Sequence, residues 1–375
     1  MRVGIFSEIY HPIKNGVVAS LDALCDGLRA AGHDVVVLAP SIAGGSLSPS
    51  VRIPSLPLPT RTSYRLVLPF IGAEQLARVR NLSVLHTHSP FVTGWMGLRY
   101  ARRFGIPLVF TYHTRLEEYA HYVPFERGAT RRAAAVLTRG YANQADAVVV
   151  PTAAMERRLR ELGVVAPIAV IPTGIDVARF AAGARTRRLR STLGLEASAP
   201  VVLFVSRLAR EKNVELAFEA LGLLPPDVIL ALAGDGPERS SLEASAARRG
   251  LAARVRFLGH VPREALPELY ASADAFVFPS TTETQGLVLV EAMAAGLPIV
   301  AVDSPQTREV VGGASRLVPP DPVALGGALA DVLASRIRDQ SASHLALERF
   351  SVELQTRRIV DLYEELGRRR TARAV

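Results

Sequence analysis

Short apolar runs alternate with longer amphipathic segments along almost the whole chain of 375 residues. The runs are rich in Val, Ile and Phe and are bounded by Gly, Pro and Asp, a pattern typical of strands covered by helices on both faces. Because helical segments separate them, the strands are expected to be parallel. The predicted strands are VGIFSEI, DVVVLAP, VLHTHS, PLVFTYH, AVVVPT and IAVIPT, then VVLFVS, VILALAG, RVRFLG, AFVFP and PIVAVD.

The pattern restarts after a polar stretch, rich in Arg and Ala, at residues 181–199. We therefore predict an α/β chain with two doubly wound, Rossmann-like domains, 1–173 and 174–351. Ligands of such sheets bind beyond the C-terminal strand ends, so two domains with parallel sheets predict an interdomain cleft. A last amphipathic helix, about 352–367, is expected to end at Gly367 and to pack back on the first domain.

Composition narrows the compartment and the partners. The only cysteine, Cys25, lies at helical spacing, so no disulfide can form within the chain and a reducing compartment is indicated. No apolar run approaches the roughly 18–20 residues that span a bilayer. We expect a cytoplasmic protein, or one bound peripherally to the inner face of the cell membrane.

The formal net charge of +9 predicts an anionic partner. Nucleic acid is disfavoured, because the chain has neither zinc-ligand spacing nor an RNA-binding aromatic motif, and only 6% of its residues are aromatic. Phosphorylated substrates and anionic lipid remain. The oligomeric state cannot be read from these features.

Two loops that follow predicted strands carry groups suited to phosphate. In EIYHPIKNGVVAS, Asn15 and Gly16 form a turn that opens a helix, whose first amides could bind phosphate, although a plain strand–turn–helix is the simpler interpretation. In SRLAREKN, Arg207 and Lys212 are five residues apart and could grip a diphosphate; the alternative is a solvated loop. Lys212 is one of only two lysines in an arginine-rich chain.

A third loop, PSTTETQGLVLVEAMAAGLPIV, combines two carboxylates with a helix start. Glu283 precedes the predicted helix and Glu291 lies within it, and eight helical residues rise about 12 Å. The two carboxylates are therefore too far apart to share one reacting bond, but they suit an elongated ligand. The amides of Gly286 and Leu287 begin the helix between them. Glu291 has apolar neighbours, which argues against a fully exposed glutamate.

Glu283 through Glu291 form an E-x7-E pattern, followed by AMAAGLPIVA. Together with SRLAREKN and the Asn-Gly loop, this pattern resembles the retaining glycosyltransferases of family 4, which have the GT-B fold. The resemblance implies that Arg207 and Lys212 bind the donor pyrophosphate and take part in catalysis. It also implies that Glu291 binds the ribose hydroxyls and that Glu283 lies against the donor sugar near its 3-hydroxyl.

The same resemblance implies further contacts with the donor. His113, in VFTYHT, is expected to face the donor sugar and to be catalytic; the alternative is a core histidine with satisfied hydrogen bonds. His86 and His88 are not predicted to bind a metal, because no carboxylate cluster accompanies them. The remaining residues expected at the donor are Asn15, Gly16, His260, Val261, Thr284, Gln285, Gly286 and Leu287.

One departure from the common family pattern points to a subgroup. Many members have an aromatic residue where this chain has Gln285, in TETQG. That version, with the stretch TYHTRLEEYAHYVP at 111–124, resembles the bacterial diacylglycerol glucosyltransferases, which use UDP-glucose. The resemblance implies no cofactor beyond the nucleotide-sugar substrate, and any Mg²⁺ that accompanies the diphosphate is expected to be non-essential.

A lipid acceptor requires a route to the membrane. Residues 126–145 are predicted to form a basic amphipathic helix, in which Arg127, Arg131 and Arg132 precede an apolar segment and Arg139 follows it. Such a helix is expected to rest on anionic lipid. An ordinary surface helix with solvated arginines is the alternative.

The predicted reaction is transfer of a hexosyl group, with retention, to a lipid hydroxyl; the departing phosphate carries the charge that the site must stabilise. The first alternative is a GDP-mannose-dependent mannosyltransferase acting on a phosphoinositide or a soluble sugar. The second alternative is a nucleotide-sugar 2-epimerase, which the E-x7-E loop disfavours. The third is a non-catalytic protein that binds sugar nucleotides.

Overall fold

The computed structural model describes residues 1–13, 15–40, 50–57, 65–118, 126–183, 190, 198–313, 315–335, 337–338 and 340–374. The chain divides into two compact units. The first unit comprises Met1–Gly174 and Val352–Val375, and the second comprises Ile175–Ser351. Lys14 and residues 119–125, which include most of the EEYAHY stretch, lie outside the described residues.

The first unit contains a seven-stranded parallel sheet and a two-stranded antiparallel ribbon. Its central strands are buried along their whole length, as the continuous apolar runs predict. The order in the sheet is β3-β2-β1-β6-β7-β8-β9, and β4 pairs with β5. The strands are β1 Arg2–Phe6, β2 Asp34–Pro40, β3 Val51–Ile53, β4 Ser55–Pro57, β5 Arg65–Val67, β6 Val84–Thr87, β7 Leu108–Thr111, β8 Ala147–Val150 and β9 Ile168–Val170.

Helices connect these strands and cover the sheet. Apolar side chains on the two faces form separate core clusters. The helices are α1 Gly16–Ala30, α2 Ala73–Arg80, α3 Val92–Phe104, α4 Arg127–Ala142, α5 Ala153–Glu161 and the C-terminal helix Val352–Ala374.

The C-terminal helix packs against α1. The approach is close: a Cβ on Gly27 would lie 2.1 Å from Oγ1 of Thr356. The predicted end of this helix at Gly367 is wrong, because the helix continues to Ala374. A helix-interior glycine costs only about 1 kcal/mol relative to alanine, and good helix formers follow it here. The Glu365–Arg369 pair, one turn apart, supports the continuation.

The second unit contains a six-stranded parallel sheet in the order β12-β11-β10-β13-β14-β15. The strands are β10 Val201–Val205, β11 Ile229–Ala233, β12 Val255–Gly259, β13 Ala275–Phe278, β14 Ile299–Val302 and β15 Arg316–Val318. The helices are α6 Val177–Ala181, α7 Val214–Gly222, α8 Arg239–Arg248, α9 Leu266–Ser272, α10 Leu287–Ala294, α11 Pro305–Val311, α12 Pro322–Ser335 and α13 Gln340–Phe350. The predicted α/β class with two parallel sheets is confirmed.

Both sheets reverse their strand order beside their first strand, between β1 and β6 in one unit and between β10 and β13 in the other. Ligands of doubly wound sheets bind outside the carboxyl ends of the strands at such a reversal. The loops after β1, β6, β10 and β13 are therefore the places to look for chemistry. None of the helices in the described part of the chain combines the length and apolar character needed to cross a bilayer.

Candidate active site

An ion pair joins the two loops at the reversal point of the second unit. The ammonium of Lys212, in a 3-10 turn at Arg210–Lys212, contacts Oε1 of Glu283 in the loop after β13. The side chains are only 14% and 18% exposed. Ser280 donates a hydrogen bond of 3.0 Å to the same oxygen of Glu283. Lys212, which is predicted to bind the pyrophosphate, and Glu283, which is predicted to bind the sugar, thus contact each other directly.

Arg207 stands at the start of the same β10 loop and is more open. Its guanidinium pairs with the carboxylate of Glu211, whose side chain is 4% exposed while that of Arg207 is 42% exposed. The same hydroxyl of Ser280 lies 3.2 Å from the backbone carbonyl oxygen of Glu211, so its one proton is shared between the two acceptors. Glu211 therefore orients an exposed cation and is tied to the β13 loop.

Two glycines of the GDG sequence after β11 hold the Arg207 loop in place. A Cβ on Gly234, whose φ is +143°, would lie 1.8 Å from the carbonyl oxygen of Ser206. A Cβ on Gly236 would lie 2.2 Å from that of Leu208. Any larger residue would push the two loops apart. Sequence reasoning missed these glycines, although a Gly-x-Gly after a buried strand was a visible signal.

The helix that follows Glu283 begins where the sequence predicts. Helix α10 starts at Leu287, and Gly286 occupies its N-cap position with φ +82°, a conformation that favours glycine. Among the described residues, no side chain accepts a capping hydrogen bond at the start of this helix. Thr284 is half-buried and Gln285 is buried, with 3% exposure.

Glu291 is buried within α10, one face of which packs into the apolar core. The hydroxyl of Tyr270, on α9, donates to its Oε2 at 2.8 Å. Burial raises the pKa of the Glu291 carboxyl to about 7, against smaller lowering effects from Tyr270 and from the charge of Arg263. The carboxyl therefore changes its charge near neutral pH.

His260 and Val261 follow β12, at the far edge of this sheet from β15. His260 is exposed, and Val261 packs against the apolar core. Gly259, which precedes them, accepts a backbone hydrogen bond of 2.8 Å from Gly234. This edge loop is thereby connected to the glycine loop that supports Arg207.

In the first unit, Asn15 and Gly16 open α1 as predicted. The side chain of Asn15 accepts a hydrogen bond of 3.0 Å from the amide of Val18 and so caps the helix. A Cβ added to Gly16 would meet no atom within 4 Å. The space beside Gly16 is therefore open, and its missing side chain is not required by packing.

His113, just beyond the end of β7, lies in a column of three imidazoles with His86, on β6, and His88, which directly follows β6. Nε2 of His113 is 2.8 Å from Nδ1 of His88, and the two nearly parallel rings meet end to end, with centroids 5.1 Å apart. His86 lies 4.3 Å from His88, centroid to centroid. Burial lowers the pKa of His113 to about 4, lowers that of His86 to about 3, and holds that of His88 well below its ordinary value. All three imidazoles are neutral at pH 7.

A carboxylate that sequence reasoning missed lies in the loop after β1. Glu8 accepts a hydrogen bond of 2.9 Å from the amide of Thr93, in the first turn of α3. Phe91 occupies the N-cap position of that helix and has no side-chain acceptor, so Glu8 takes over the capping function. Burial raises the pKa of Glu8.

Helix α4 contains the residues predicted to reach a membrane. Glu126 caps the helix through its side chain, and Arg131, Arg132 and Arg139 are exposed. The side chain of Arg127 lies outside the described residues. Arg131 is 3.9 Å from Glu118, a carboxylate of the partly described 111–124 stretch.

Apolar side chains are exposed on and beside the same helix. Val136 of α4 is 57% exposed. Trp95 and Phe91, at the start of α3, are 45% and 43% exposed, and the Trp95 ring lies 5.4 Å from that of Tyr141 on α4. Basic and apolar exposure therefore occur together on this part of the first unit.

Among the described residues, no cluster of three or more His, Cys, Asp or Glu side chains is arranged to hold a metal ion.

Comparison with protein families and with individual proteins places this geometry in context. Residues 14–179 match the model of Glycosyltransferase Family 4, and residues 186–347 match that of Glycosyl transferases group 1. The chain is 32% identical to an alpha-monoglucosyldiacylglycerol synthase of Streptococcus pneumoniae, over 83% of this chain and 73% of that protein. It is 34% identical to the protein of the same name from Acholeplasma laidlawii, over 80% of each chain.

Two further likenesses concern the donor and the fold. A GDP-mannose-dependent alpha-mannosyltransferase of Mycolicibacterium smegmatis is 33% identical, over 83% of this chain and 82% of that protein. The structure of a sucrose-phosphate synthase from Thermosynechococcus elongatus superposes with a TM-score of 0.76 at 24% identity, covering 97% of this chain and 98% of that chain. The latter likeness supports the GT-B fold alone.

The loops at the two sheet reversals carry the motifs of one enzyme family, and relatives above 30% identity span most of the chain. The chain belongs to the family 4 glycosyltransferases and is a nucleotide-sugar-dependent hexosyltransferase with the GT-B fold.

Proposed function

We propose that the enzyme transfers glucose from UDP-glucose to the hydroxyl of diacylglycerol or a related membrane lipid, with retention at the anomeric carbon. The observation that carries this proposal is the 32–34% identity to two alpha-monoglucosyldiacylglycerol synthases. The TETQG version of the donor loop, in which the buried Gln285 replaces the common aromatic residue, agrees with it.

In the proposed reaction, the bond between the anomeric carbon and the β-phosphate oxygen breaks while the acceptor oxygen forms a bond on the same face. The acceptor proton passes to the departing phosphate. The charge that develops on that phosphate is the main requirement of the site. Arg207, Lys212 and the first amides of α10 are the groups assigned to stabilise it, without a required metal ion.

The Lys212–Glu283 ion pair gives this assignment a specific consequence. A diphosphate that reaches Lys212 competes with Glu283 for the ammonium. Glu283 is then released toward the sugar, where its carboxylate accepts from the 3-hydroxyl. Before the donor binds, the charges of Lys212 and Glu283 thus compensate each other.

Glu291 is assigned to the ribose hydroxyls and His113 to the donor sugar. Burial favours the neutral form of both side chains, because it raises the pKa of Glu291 and lowers that of His113. If two ribose hydroxyls donate to Glu291, they stabilise its ionised form. The donor is therefore expected to bind more tightly to the enzyme in which this carboxyl is deprotonated.

The proposed acceptor lies in a membrane, and the basic face of α4 with its exposed apolar neighbours is the proposed contact. Arg132, Val136 and Arg139 are spaced three or four residues apart and share one helix face. A basic helix with apolar side chains at its surface binds at the interface of anionic bilayers. We accordingly propose that the enzyme binds peripherally at the cytoplasmic face of the cell membrane.

The second candidate is a GDP-mannose-dependent mannosyltransferase acting on a phosphoinositide or a soluble sugar. The 33% identity to the M. smegmatis alpha-mannosyltransferase favours it. Pyrophosphate and ribose contacts are shared by UDP and GDP donors, so the described residues on these groups do not separate the two.

The test is incubation with UDP-glucose, UDP-galactose or GDP-mannose and dioleoylglycerol in vesicles that contain anionic lipid, followed by mass analysis of the lipids. A parallel series replaces the diacylglycerol with phosphatidylinositol or with free glucose and mannose. The proposal expects monoglucosyldiacylglycerol from UDP-glucose. Product only from GDP-mannose would establish the alternative, and product only with a soluble sugar would refute the lipid acceptor.

A further inference from the structure

The column of three imidazoles in the first unit has a definite hydrogen-bond order. His86 uses both ring nitrogens: Nδ1 lies 2.6 Å from the hydroxyl of Tyr363 on the C-terminal helix, and Nε2 lies 2.6 Å from Oγ1 of Thr111. His88 uses Nδ1 toward Nε2 of His113, at 2.8 Å. The other ring nitrogen of His88, Nε2, is buried and has no hydrogen-bond partner among the described residues.

This order decides where the proton of His88 resides. A neutral imidazole carries one N–H, and the other nitrogen is an acceptor. A proton on Nε2 of His88 would leave a buried N–H without an acceptor among the described residues. Nδ1 of His88 could then only accept a hydrogen bond from His113. Buried N–H groups without a partner are rarer in proteins than buried acceptors without one. The proton therefore belongs on Nδ1, where the 2.8 Å contact uses it.

We infer that His88 is a positioning residue, whose Nδ1–H donates to Nε2 of His113 and thereby fixes His113 as the tautomer protonated on Nδ1. With Nε2 occupied as an acceptor, the neutral ring of His113 has its single proton on the other nitrogen. That nitrogen donates a hydrogen bond and cannot accept one. His113 is then a donor to an oxygen lone pair, and not a general base.

The surroundings of His88 support this role. Its ring is held between two others, at 4.3 Å from His86 and 5.1 Å from His113, so it cannot turn without displacing a neighbour. His86 in turn is fixed by its two hydroxyl partners and is fully buried. The lowered pKa values keep the column neutral at pH 7, as a tautomer argument requires.

The consequence for the reaction rests on the proposed place of His113 at the donor sugar. A donor-only Nδ1–H suits the oxygen of a sugar hydroxyl or the ring oxygen, and it selects against a proton transfer through this histidine. The tautomer itself does not depend on that proposal and can be tested without any substrate.

The direct test is a long-range ¹H–¹⁵N correlation of the histidine rings in ¹⁵N-labelled enzyme at pH 7.5, with His113→Gln used to assign the signals of His113. The expected spectrum shows a protonated Nδ1 and an unprotonated Nε2 in His113. A protonated Nε2 in His113 would overturn the inference.

Two variants extend the test to turnover. His88→Asn retains an amide donor near the position of Nδ1, and it is expected to preserve the tautomer of His113 and kcat/KM within a few-fold. In its ionised form His88→Asp offers only acceptors, so the proton of His113 should then move to Nε2 and kcat/KM should fall about 10-fold or more, the scale of one misdirected hydrogen bond. Equal loss in both variants would refute a positioning role for His88. Intact turnover in His88→Asp, with its tautomer changed, would instead count against the proposed contact of His113 with the sugar. His344→Gln, at an exposed site in the second unit, is the control.

Discussion

The hydroxyl of Tyr270 donates a hydrogen bond of 2.8 Å to Glu291, and the two side chains are buried together between α9 and α10. One neutral donor does not compensate for the loss of water around a carboxylate. The pKa of Glu291 is consequently raised by burial from its ordinary value of 4.5 to about 7. The carboxyl that is proposed to bind the ribose is therefore kept at a cost in stability.

Replacing Glu291 with Gln is expected to stabilise the enzyme at pH 8. Between pH 4.5 and 7 the folded state holds a proton on Glu291 that the unfolded state has lost, so the free energy of unfolding falls as pH rises through this window. The loss amounts to about 3 kcal/mol. Gln keeps the acceptor for Tyr270 and removes the titration.

Urea unfolding of both proteins at pH 5 and pH 8 measures this effect. The variant should exceed the wild type by up to about 3 kcal/mol at pH 8 and by much less at pH 5. Glu264→Gln, at an exposed position before α9, is the control and should show no such pH dependence. A Glu291→Gln enzyme that is less stable than the wild type at pH 8 would contradict the prediction, because the ionised carboxylate would then be more favourable at this site than a neutral amide.

Nucleotide binding should show the opposite dependence on pH. The ribose hydroxyls are expected to donate to the ionised carboxyl, so the Kd of UDP should decrease as pH rises through about 7. Since a group with that pKa is about 90% protonated at pH 6, the Kd there should be up to about 10-fold larger than at pH 8. Calorimetric titration with UDP, repeated with GDP for the alternative donor, measures it. A pH-independent Kd in the wild type would argue against Glu291 as the ribose ligand.

The burial of Glu291 could be predicted from its apolar neighbours, but its partner could not. Tyr270 is 21 residues away on another helix, and only the packing of α9 on α10 brings the two together. The pair of Lys212 and Glu283 is similar, because 71 residues separate its members. Each residue was identifiable after its own strand, whereas their contact depends on β10 and β13 being neighbours, and the strand order is a property of the folded sheet.

Local signals were sufficient elsewhere. The caps Asn15 and Gly286 were readable because a helix start depends on the residues beside it. The imidazole column was not predictable: His86 lies on β6 and His88 directly follows it, but the position of His113 beside them requires the pairing of β6 with β7. Short edge strands such as β15, with three residues, also gave no pattern long enough to recognise.

Lys212→Arg is expected to lower kcat by about 10-fold or more although the charge is unchanged. The side chain of Lys212 is 14% exposed, and its ammonium contacts Glu283. A planar guanidinium cannot replace this compact point charge without moving the loop. Steady-state assay with the donor in excess measures the effect. Arg210→Lys, the reciprocal change at an exposed position in the same 3-10 turn, should stay close to the wild type. Equal turnover in Lys212→Arg would mean that the site needs only a positive charge.

Gly16→Ala separates a ligand contact from a folding requirement. The glycine begins α1, and an added Cβ would meet no protein atom within 4 Å, so the variant should be as stable as the wild type or slightly more so. If the donor phosphate approaches the backbone at this point, the added methyl group should raise the KM for the donor several-fold. Thermal unfolding and donor KM are the two measurements. Gly27→Ala offers a contrast, since a Cβ there would collide with Thr356 and should destabilise the fold. An unchanged KM in Gly16→Ala would remove this loop from the donor site.

Removing the charges of Arg132 and Arg139 should weaken binding to anionic vesicles. Both arginines are exposed on α4, on the face that also exposes Val136. Each arginine near an anionic surface contributes about 1 kcal/mol, so the Arg132→Ser, Arg139→Ser double variant should bind roughly 30-fold more weakly at low salt. Because salt screens this attraction, the difference should shrink as NaCl is raised toward 0.5 M, roughly where the Debye length falls below 5 Å.

Vesicle co-sedimentation at a series of salt concentrations measures this binding. The charge-matched control is Arg248→Ser, Arg316→Ser, at two exposed positions of the second unit. An equal loss in the control would mean that net charge, and not the face of α4, attracts the enzyme to lipid. Wild-type binding that ignores salt would exclude the electrostatic contact altogether. If binding survives at high salt but falls when Trp95 is replaced by Ser, the exposed aromatic side chains at the start of α3 supply the apolar part of the same contact, as expected for a helix that lies at the bilayer interface.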